Sequence, residues 1–388
     1  MNDLESIYQE MNIRNKISSE NIIIDSTIED LNSYKNNYCY AIYSLNNFIL
    51  YPSWIRLIEW LNSFINDEAI IYNLIPDKTN GMLHQTLLQI LSFKESIKYT
   101  NNDINKSLEE CKNILNNNNK YIKIIYRGLV FTKTGLAIRG FPYLENDYNY
   151  IMNLRKTIED KLKIKNLPCD IPYFNNILHA TLLRWKKMPS DYIINKLNSE
   201  IHKWEECAIG ELRINNWIIG KASWKMLDYE RNDIYKIPTK LLILHRGISI
   251  HDNLLENEPN TLATRDNNNL NVECDIWYHK NNWYLGHDSP TYLIENIDIF
   301  LKSKQRLIHA KDGKTLAEII NYCNKRGYDN EIFYHTTEDY VLTTSNMIIA
   351  YPGKKMYKNI LCMMPENMNR EITSNEYENI MGICSDNL

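Results

Sequence analysis

The chain has 388 residues, 44% hydrophobic and 24% charged, with a formal net charge of −4 and a sequence isoelectric point of about 6.2. That length suits two or three domains, and the composition supplies enough apolar residues to bury real cores. The absence of a global positive charge argues against wrapping long duplex nucleic acid, but a small, locally basic pocket for a small anion remains open.

The eight cysteines stand singly at 39, 111, 169, 207, 274, 323, 362 and 384, so no CxxC pair points to a zinc knuckle or a redox dithiol. The opening MNDLESIYQEMNIRNK lacks the apolar stretch of a secretion signal, and no window approaches the roughly 20 apolar residues of a membrane span. A cytoplasmic protein with reduced thiols is therefore expected. Heavy use of Asn, Ile, Lys and Tyr, beside 12 Gly and 11 Pro, is the bias of an AT-rich genome such as that of a large DNA virus, a protist or a low-GC bacterium.

In chain order, YCYAIYSL (38–45) reads as a strand and WIRLIEWLNSFI (54–65) as an amphipathic helix. MLHQTLLQIL (82–91) is an apolar strand or strand end, and SLEECKNIL (107–115) is helical. YIKIIYRGLVFT (121–132) and GLAIRGFP (135–142) read as strands joined by the KTG turn at 133–135. YIMNLRKTIEDKLKI (150–164) and DYIINKLNSEIHKW (191–204) are helices by pattern, with the strand NILHATLLRW (176–185) between them. GELRINNWIIGKASW (210–224) has strand character. A charged stretch then runs to Pro238, and LLILHRG (241–247) restarts as a buried strand. The boundary is placed near 230–239, giving domains over 1–235 and 240–388.

The first domain carries a weak internal repeat. LHQTLL (83–88) and LHATLL (178–183) match at five of six positions. On a strand, residues i and i+2 share a face, so His84 projects with Thr86 and His179 with Thr181. If the two lobes pack symmetrically, four polar side chains meet in one cleft. One imidazole can then take a proton from water while the other protonates a leaving oxygen. The threonine hydroxyls can hold non-bridging phosphate oxygens, and no metal is needed. A single His on an apolar strand is ordinarily structural, but two matched motifs in corresponding settings are hard to explain that way.

On these motifs, residues 20–230 resemble the 2H phosphoesterase superfamily, with two H-x-[ST]-hydrophobic motifs on paired strands. The resemblance implies a bilobal α+β fold and action on 2′,3′-cyclic phosphates, 2′,5′-linked or cyclic oligonucleotides, or RNA ends. It implies His84 and His179 as the acid–base pair, Thr86 and Thr181 as phosphate ligands, and no cofactor. Arg184 would add a phosphate contact or stand as a surface charge, and Tyr126, Phe141 or Tyr173 could stack a base or belong to the core.

A second constellation follows residue 241. LLILHRG ends in His245 and Arg246, LLENEPNTL (254–262) offers Glu256 and Glu258, NVECDIW (271–277) puts Glu273 and Asp275 on one face, and WYLGHD (283–288) ends in His287. Carboxylates clustered at strand ends are costly unless a cation satisfies them, and oxygen donors favour Mg²⁺ or Ca²⁺. The order H-R-G, E-N, E-x-D, H-D resembles the glycerophosphodiester phosphodiesterase family, related to phosphatidylinositol-specific phospholipase C. That resemblance implies His245 and His287 as the catalytic pair and Glu256, Glu273 and Asp275 as metal ligands, with Glu258 competing for the place of Glu256. It also implies phosphate contacts from Arg246 and from Lys311 of LIHAK. Only about 150 residues remain after Leu241, whereas an eight-fold α/β barrel takes about 250. The expected fold is thus an α/β, shortened TIM-barrel-like domain, with short strands in 332–343, 347–354 and 360–366.

The combined expectation is a two-domain phosphodiester hydrolase acting on a small nucleotide or RNA-end substrate, with no obligate protein partner. Two alternatives stay open: an RNA- or nucleotide-binding module without turnover, and a lipid-headgroup phosphodiesterase led by the second domain.

Overall fold

The computed structural model describes residues 2–14, 18, 20–24, 38–45, 48–74, 81–118, 120–170, 176–214, 216–222, 232–250, 254–268, 270–368 and 370–388. The chain divides into two compact units, Met1–Pro238 and Thr239–Leu388. Each is mixed α/β and built on a curled sheet. No helix among the described residues is long and apolar enough to cross a membrane. All eight cysteines are free thiols.

The first unit has β1 (Cys39–Ser44), β2 (Phe48–Leu50), β3 (Ala69–Asn73), β4 (Gly81–Met82), β5 (Gln85–Leu91), β6 (Ile122–Thr132), β7 (Gly135–Pro142), β8 (His179–Trp185), β9 (Ala208–Ile214), β10 (Asn216–Ala222) and β11 (Asn232–Pro238). The main path of the sheet runs β11-β10-β1-β5-β8-β7-β6-β9-β2, with β3 beside β8. The two motif-bearing strands, β5 and β8, are therefore central neighbours. The helix Pro52–Asn62 begins with proline in its first turn and buries Trp54, Leu57 and Leu61, an apolar stripe at helical spacing. Helix Asn101–Asn116 is capped by the Thr100 side chain, which accepts from Asp103 N. Together with helix Glu145–Ile164 these pack apolar faces into the main core, where Leu57, Leu108 and Ile158 are fully buried. The helix expected over 191–204 is α-helical only as far as Glu200 and tightens into a 3₁₀ turn over Ile201–Trp204.

The second unit has β12 (Leu241–Leu244), β13 (Asn271–His279), β14 (Asn282–Leu285), β15 (Tyr292–Leu293), β16 (Arg306–Ala310), β17 (Glu331–Phe333), β18 (Tyr340–Leu342), β19 (Ile348–Ala350), β20 (Ile360–Met363) and β21 (Gly382–Ser385). Parallel ladders give the order β17-β16-β13-β12-β21-β20-β19, so the first and last strands of the unit are neighbours. At the far side the chain after β18 lies along β17, where Thr344 N donates to Ile332 O at 2.9 Å and Ile332 N donates to Thr344 Oγ1 at 3.1 Å. The stretch 332–343, expected to have short-strand structure, is divided between β17 and β18. Helix Gly313–Arg326 connects β16 to β17. It is capped by Asp312 and stopped by Gly327 at φ 71°.

Candidate active sites

In the first unit β5 and β8 run antiparallel, with Gln85 opposite Ala180. Continued one residue each way, this register sets His84 opposite Thr181 and Thr86 opposite His179. Directly opposed residues share a face, so the quartet lies on one side of the sheet. Burial agrees: the four are half-buried, while Leu83, Gln85, Leu87, Leu178, Ala180 and Leu182 between them are buried.

Each motif strand also carries a β-bulge at the same place. Against β1, Ile42 pairs Leu88 and Tyr43 pairs Thr86, leaving Leu87 as the extra residue. Against β7, Leu136 pairs Leu183 and Ala137 pairs Thr181, leaving Leu182 extra. A bulge reverses the side-chain alternation beyond it. It therefore turns Arg184 onto the His/Thr face, and Gln89 likewise in the first motif. Both are half-buried. Gln89 was not singled out from the sequence. Its signal is that it stands where Arg184 stands in the other repeat.

The carbonyl of Met82 can only accept, so the 2.8 Å contact to His84 Nδ1 fixes the proton there and leaves Nε2 to exchange. His179 Nδ1 is buried without a hydrogen-bond partner. Burial first, then the charges of Arg155, Arg184 and His84, lower the His179 imidazole to about 3, so this ring is neutral near pH 7. Arg155, on helix Glu145–Ile164, was also missed from the sequence. Its Nε donates to the carbonyl of the bulged Leu87 at 2.7 Å, and Nη1 donates to Ile177 O at 3.1 Å. One buried guanidinium thus ties together the backbones that carry both motifs. Tyr8 anchors the second motif alone to β7 through its hydroxyl, which bonds Leu178 O and, at 3.0 Å, Gly140 O.

Two expected base-stacking residues are corrected. Tyr126 is 1% exposed and its hydroxyl donates to Gln85 Oε1 at 2.6 Å, on the side of the sheet away from the quartet. Phe141 is 3% exposed and packs edge-on against Tyr8. Both belong to cores and present no face to a ligand. Tyr126→Phe strands a buried acceptor and is expected to cost ~1–3 kcal/mol in denaturant unfolding. It should leave the KM of any substrate unchanged. Tyr173 lies outside the described residues.

In the second unit the chemistry gathers at the C-terminal ends of the parallel strands. Arg246 (φ 51°) and Gly247 (φ 75°) turn left-handed after β12, and Arg246 N donates to Glu273 Oε2 at 3.1 Å. His245 Nδ1 lies 3.0 Å from Asp386 Oδ1, beyond β21, and its Nε2 is 4.0 Å from Glu273 Oε2. Parallel register places Asp275 beside His309 and His309 beside Phe333. His309 Nδ1 is accordingly 2.9 Å from Asp275 Oδ1 and 3.8 Å from Glu273 Oε1, with its ring stacked on Phe333 at 4.6 Å. Lys311 Nζ is 3.1 Å from Asp275 Oδ1. His287 is half-buried, with Nδ1 2.6 Å from Asp288 Oδ1.

Burial and the neighbouring Asp275 push Glu273 well above the usual carboxylate range. Burial also opposes charge on Asp275, but the His309 hydrogen bond and the Lys311 charge outweigh it and hold that carboxyl low. Burial lowers His245 and His309, and lowers His335 to about 4. Neutral imidazoles beside ionised oxygen are the donor chemistry of a divalent cation. One donor atom each from Glu273, Asp275 and His309 lies within 4.8 Å of the others.

Glu256 is corrected as a member of this cluster. Its side chain is 47% exposed and engages Arg246 Nη1 at 2.8 Å. The next residue, Asn257, turns inward at φ 54° and is fully buried. Its amide donates to Asp275 Oδ2 at 2.9 Å and accepts from Asp275 N at 2.8 Å. Glu258, the other candidate, bonds Asn260 and Thr261 in the first turn of helix Pro259–Asn267. His309, His335 and Asn257 were not read from the sequence as site residues. No protein-family model matches the chain, and no curated protein matches its sequence significantly.

Proposed function

We propose that this protein is a phosphodiester hydrolase whose first unit opens a cyclic or 2′,5′-type nucleotide or RNA-end phosphodiester at a metal-independent two-histidine centre of the 2H phosphoesterase kind. The observation that carries this reading is the β5–β8 register with its matched bulges, which sets two copies of His-x-Thr side by side. Neutral His179 takes a proton from water as the water oxygen attacks phosphorus. Protonated His84 delivers its Nε2 proton to the departing ester oxygen as that bond breaks. Thr86 and Thr181 donate to non-bridging oxygens, and Arg184 offsets their charge. The test is a panel of 2′,3′-cyclic nucleotides, 2′,5′-oligoadenylates, cyclic dinucleotides and glycerophosphodiesters, each assayed with EDTA and with divalent cations. Cleavage of a nucleotide that persists in EDTA is expected. Nucleotide binding without cleavage under every condition would mean a binding module instead.

The second unit supports a further, metal-dependent reading of the glycerophosphodiester phosphodiesterase kind on a shortened barrel. What favours it is the convergence of His245, Glu273, Asp275, His309 and Lys311 at one end of a parallel sheet whose first and last strands adjoin. Glu273, Asp275 and His309 would hold the cation, which when bound supplies Lewis-acid polarisation of a phosphoryl oxygen. Arg246 and Lys311 attract the anionic diester, and His245, oriented by Asp386, exchanges protons at Nε2. Since Glu256 lies outside the cluster, Glu256→Gln should change cation affinity less than ~3-fold, whereas Asp275→Asn should weaken it ~100-fold by calorimetry.

A further inference from the structure

We propose that the cluster of Glu273, Asp275 and His309 binds a borderline divalent cation, Mn²⁺ or Zn²⁺, in preference to Mg²⁺ or Ca²⁺, with His309 as its nitrogen ligand. This rests on the metal-dependent reading of the second unit and departs from the all-oxygen donor set that its sequence suggested.

Donor type is the first ground. Mg²⁺ and Ca²⁺ are hard cations that take oxygen ligands, whereas imidazole suits Zn²⁺ and the later first-row metals, and carboxylates extend the choice to Mn²⁺. Glu256, the oxygen donor expected to complete the set, is outside on Arg246. The parallel register of β13 and β16 brings an imidazole to Asp275 instead. Its Nδ1 lies 2.9 Å from Asp275 Oδ1 and 3.8 Å from Glu273 Oε1. Donors bound to one such cation sit about 3 Å apart.

The state of His309 is the second, independent ground. The residue is 7% exposed and its Nε2 is buried without a hydrogen-bond partner. Coordination through Nδ1 requires the ring proton to move to Nε2, and no existing bond at Nε2 has to break for that. The ring cannot easily swing away, because Phe333 stacks on it at 4.6 Å with planes 8° apart and His335 lies at 5.0 Å. A ligand locked by packing is preorganised.

Charge is the third ground. Two buried carboxylates, Glu273 and Asp275, stand on one face, and Asp275 is met by Lys311 and by the Arg246 guanidinium, which is shared with exposed Glu256. A divalent cation between them would let both carboxylates carry their charge in a buried site. Lys311 shares Asp275 Oδ1 with His309, so a bound cation would compete with it there and leave the ammonium for an incoming anion.

The test uses the full chain stripped with EDTA and titrated separately with MnCl₂, ZnCl₂, MgCl₂ and CaCl₂. Thermal melting is followed for each, and electron paramagnetic resonance of the Mn²⁺ form reads ¹⁴N coupling. Mn²⁺ or Zn²⁺ is expected to raise the melting temperature at concentrations ~10-fold below those needed for Mg²⁺ or Ca²⁺, with a nitrogen coupling present. His309→Ala should lose that coupling and ~10–100-fold in Mn²⁺ affinity. His309→Glu should bind again, but with the preference turned toward Mg²⁺ and Ca²⁺. Melting in EDTA reports whether each variant folds, and the wild-type preference and coupling decide the matter even if neither variant does. If Mg²⁺ or Ca²⁺ binds as well as Mn²⁺ and Zn²⁺, or no nitrogen coupling is seen, the assignment of His309 is overturned while a metal-dependent centre stands. If no cation binds at all, the metal-dependent reading falls with it.

Discussion

Replacing His179 by alanine is expected to lower EDTA-resistant cleavage by ~10²–10⁴-fold, the usual worth of a positioned general base. The pH profile should identify the group. Burial together with Arg155, Arg184 and His84 lowers this imidazole to about 3. A base works when unprotonated, so the acid limb of kcat/KM attributable to it lies below pH 6.5, and activity persists well into mildly acid solution. Arg184→Gln removes one of the cations that lower the pKa, so the limb should move up toward 6.5 while KM rises with the lost phosphate contact. Stability follows the same shift. Because the folded-state pKa is depressed, the unfolded chain binds the proton first. Stability is therefore fully present above about pH 6.5 and lost as pH falls toward 3. An unchanged rate in His179→Ala, with native melting and circular dichroism, would remove His179 from the chemistry.

Arg155→Met should be the most damaging change away from the quartet itself. Arg155 is 4% exposed, and its guanidinium serves Leu87 O at 2.7 Å, Ile177 O at 3.1 Å and Thr86 O at 3.5 Å. Bulged Leu87 interrupts its ladder locally, and Arg155 supplies the donor there. Methionine fills much of the volume but leaves these buried carbonyls without that donor, at ~1–3 kcal/mol for each well-made bond lost. A loss of ~3 kcal/mol is expected in denaturant unfolding. Because both motif strands are tied to this one group, the histidines should also shift relative to each other, lowering kcat by ~10–100-fold with a smaller change in KM. Lysine should rescue little, since one ammonium cannot reproduce the planar fork. Stability within ~0.5 kcal/mol of wild type and an unchanged kcat would show that Arg155 fills space only.

The paired His-x-Thr motifs were legible because a duplicated six-residue pattern is a local signal, and i, i+2 geometry sends each pair to one face. Their mutual placement was not legible, since strand register depends on packing between distant segments. The bulges at Leu87 and Leu182 were hidden for the same reason, and with them the common face of Gln89 and Arg184. Tyr126 and Phe141 could be read as core or as base-stacking residues, and burial in the sheet's two packed faces settles both as core. In the second unit, Glu273 and Asp275 followed from alternation on β13. Glu256 did not: Asn257 adopts a left-handed φ of 54° and faces inward in its place, and short polar side chains accept that conformation most readily. His309 sits in Arg306–Ala310, a strand buried at every position. Such a strand has no alternation to say which residues face the site.

The most direct measurement is cleavage of the preferred nucleotide in EDTA by the wild type, by the His84→Ala/His179→Ala double variant and by His245→Ala. Wild type and His245→Ala should cleave at similar rates, with the double variant reduced at least ~10³-fold. Cleavage that disappears in EDTA and in His245→Ala but survives in the double variant would contradict the two-histidine centre and place the principal activity in the second unit.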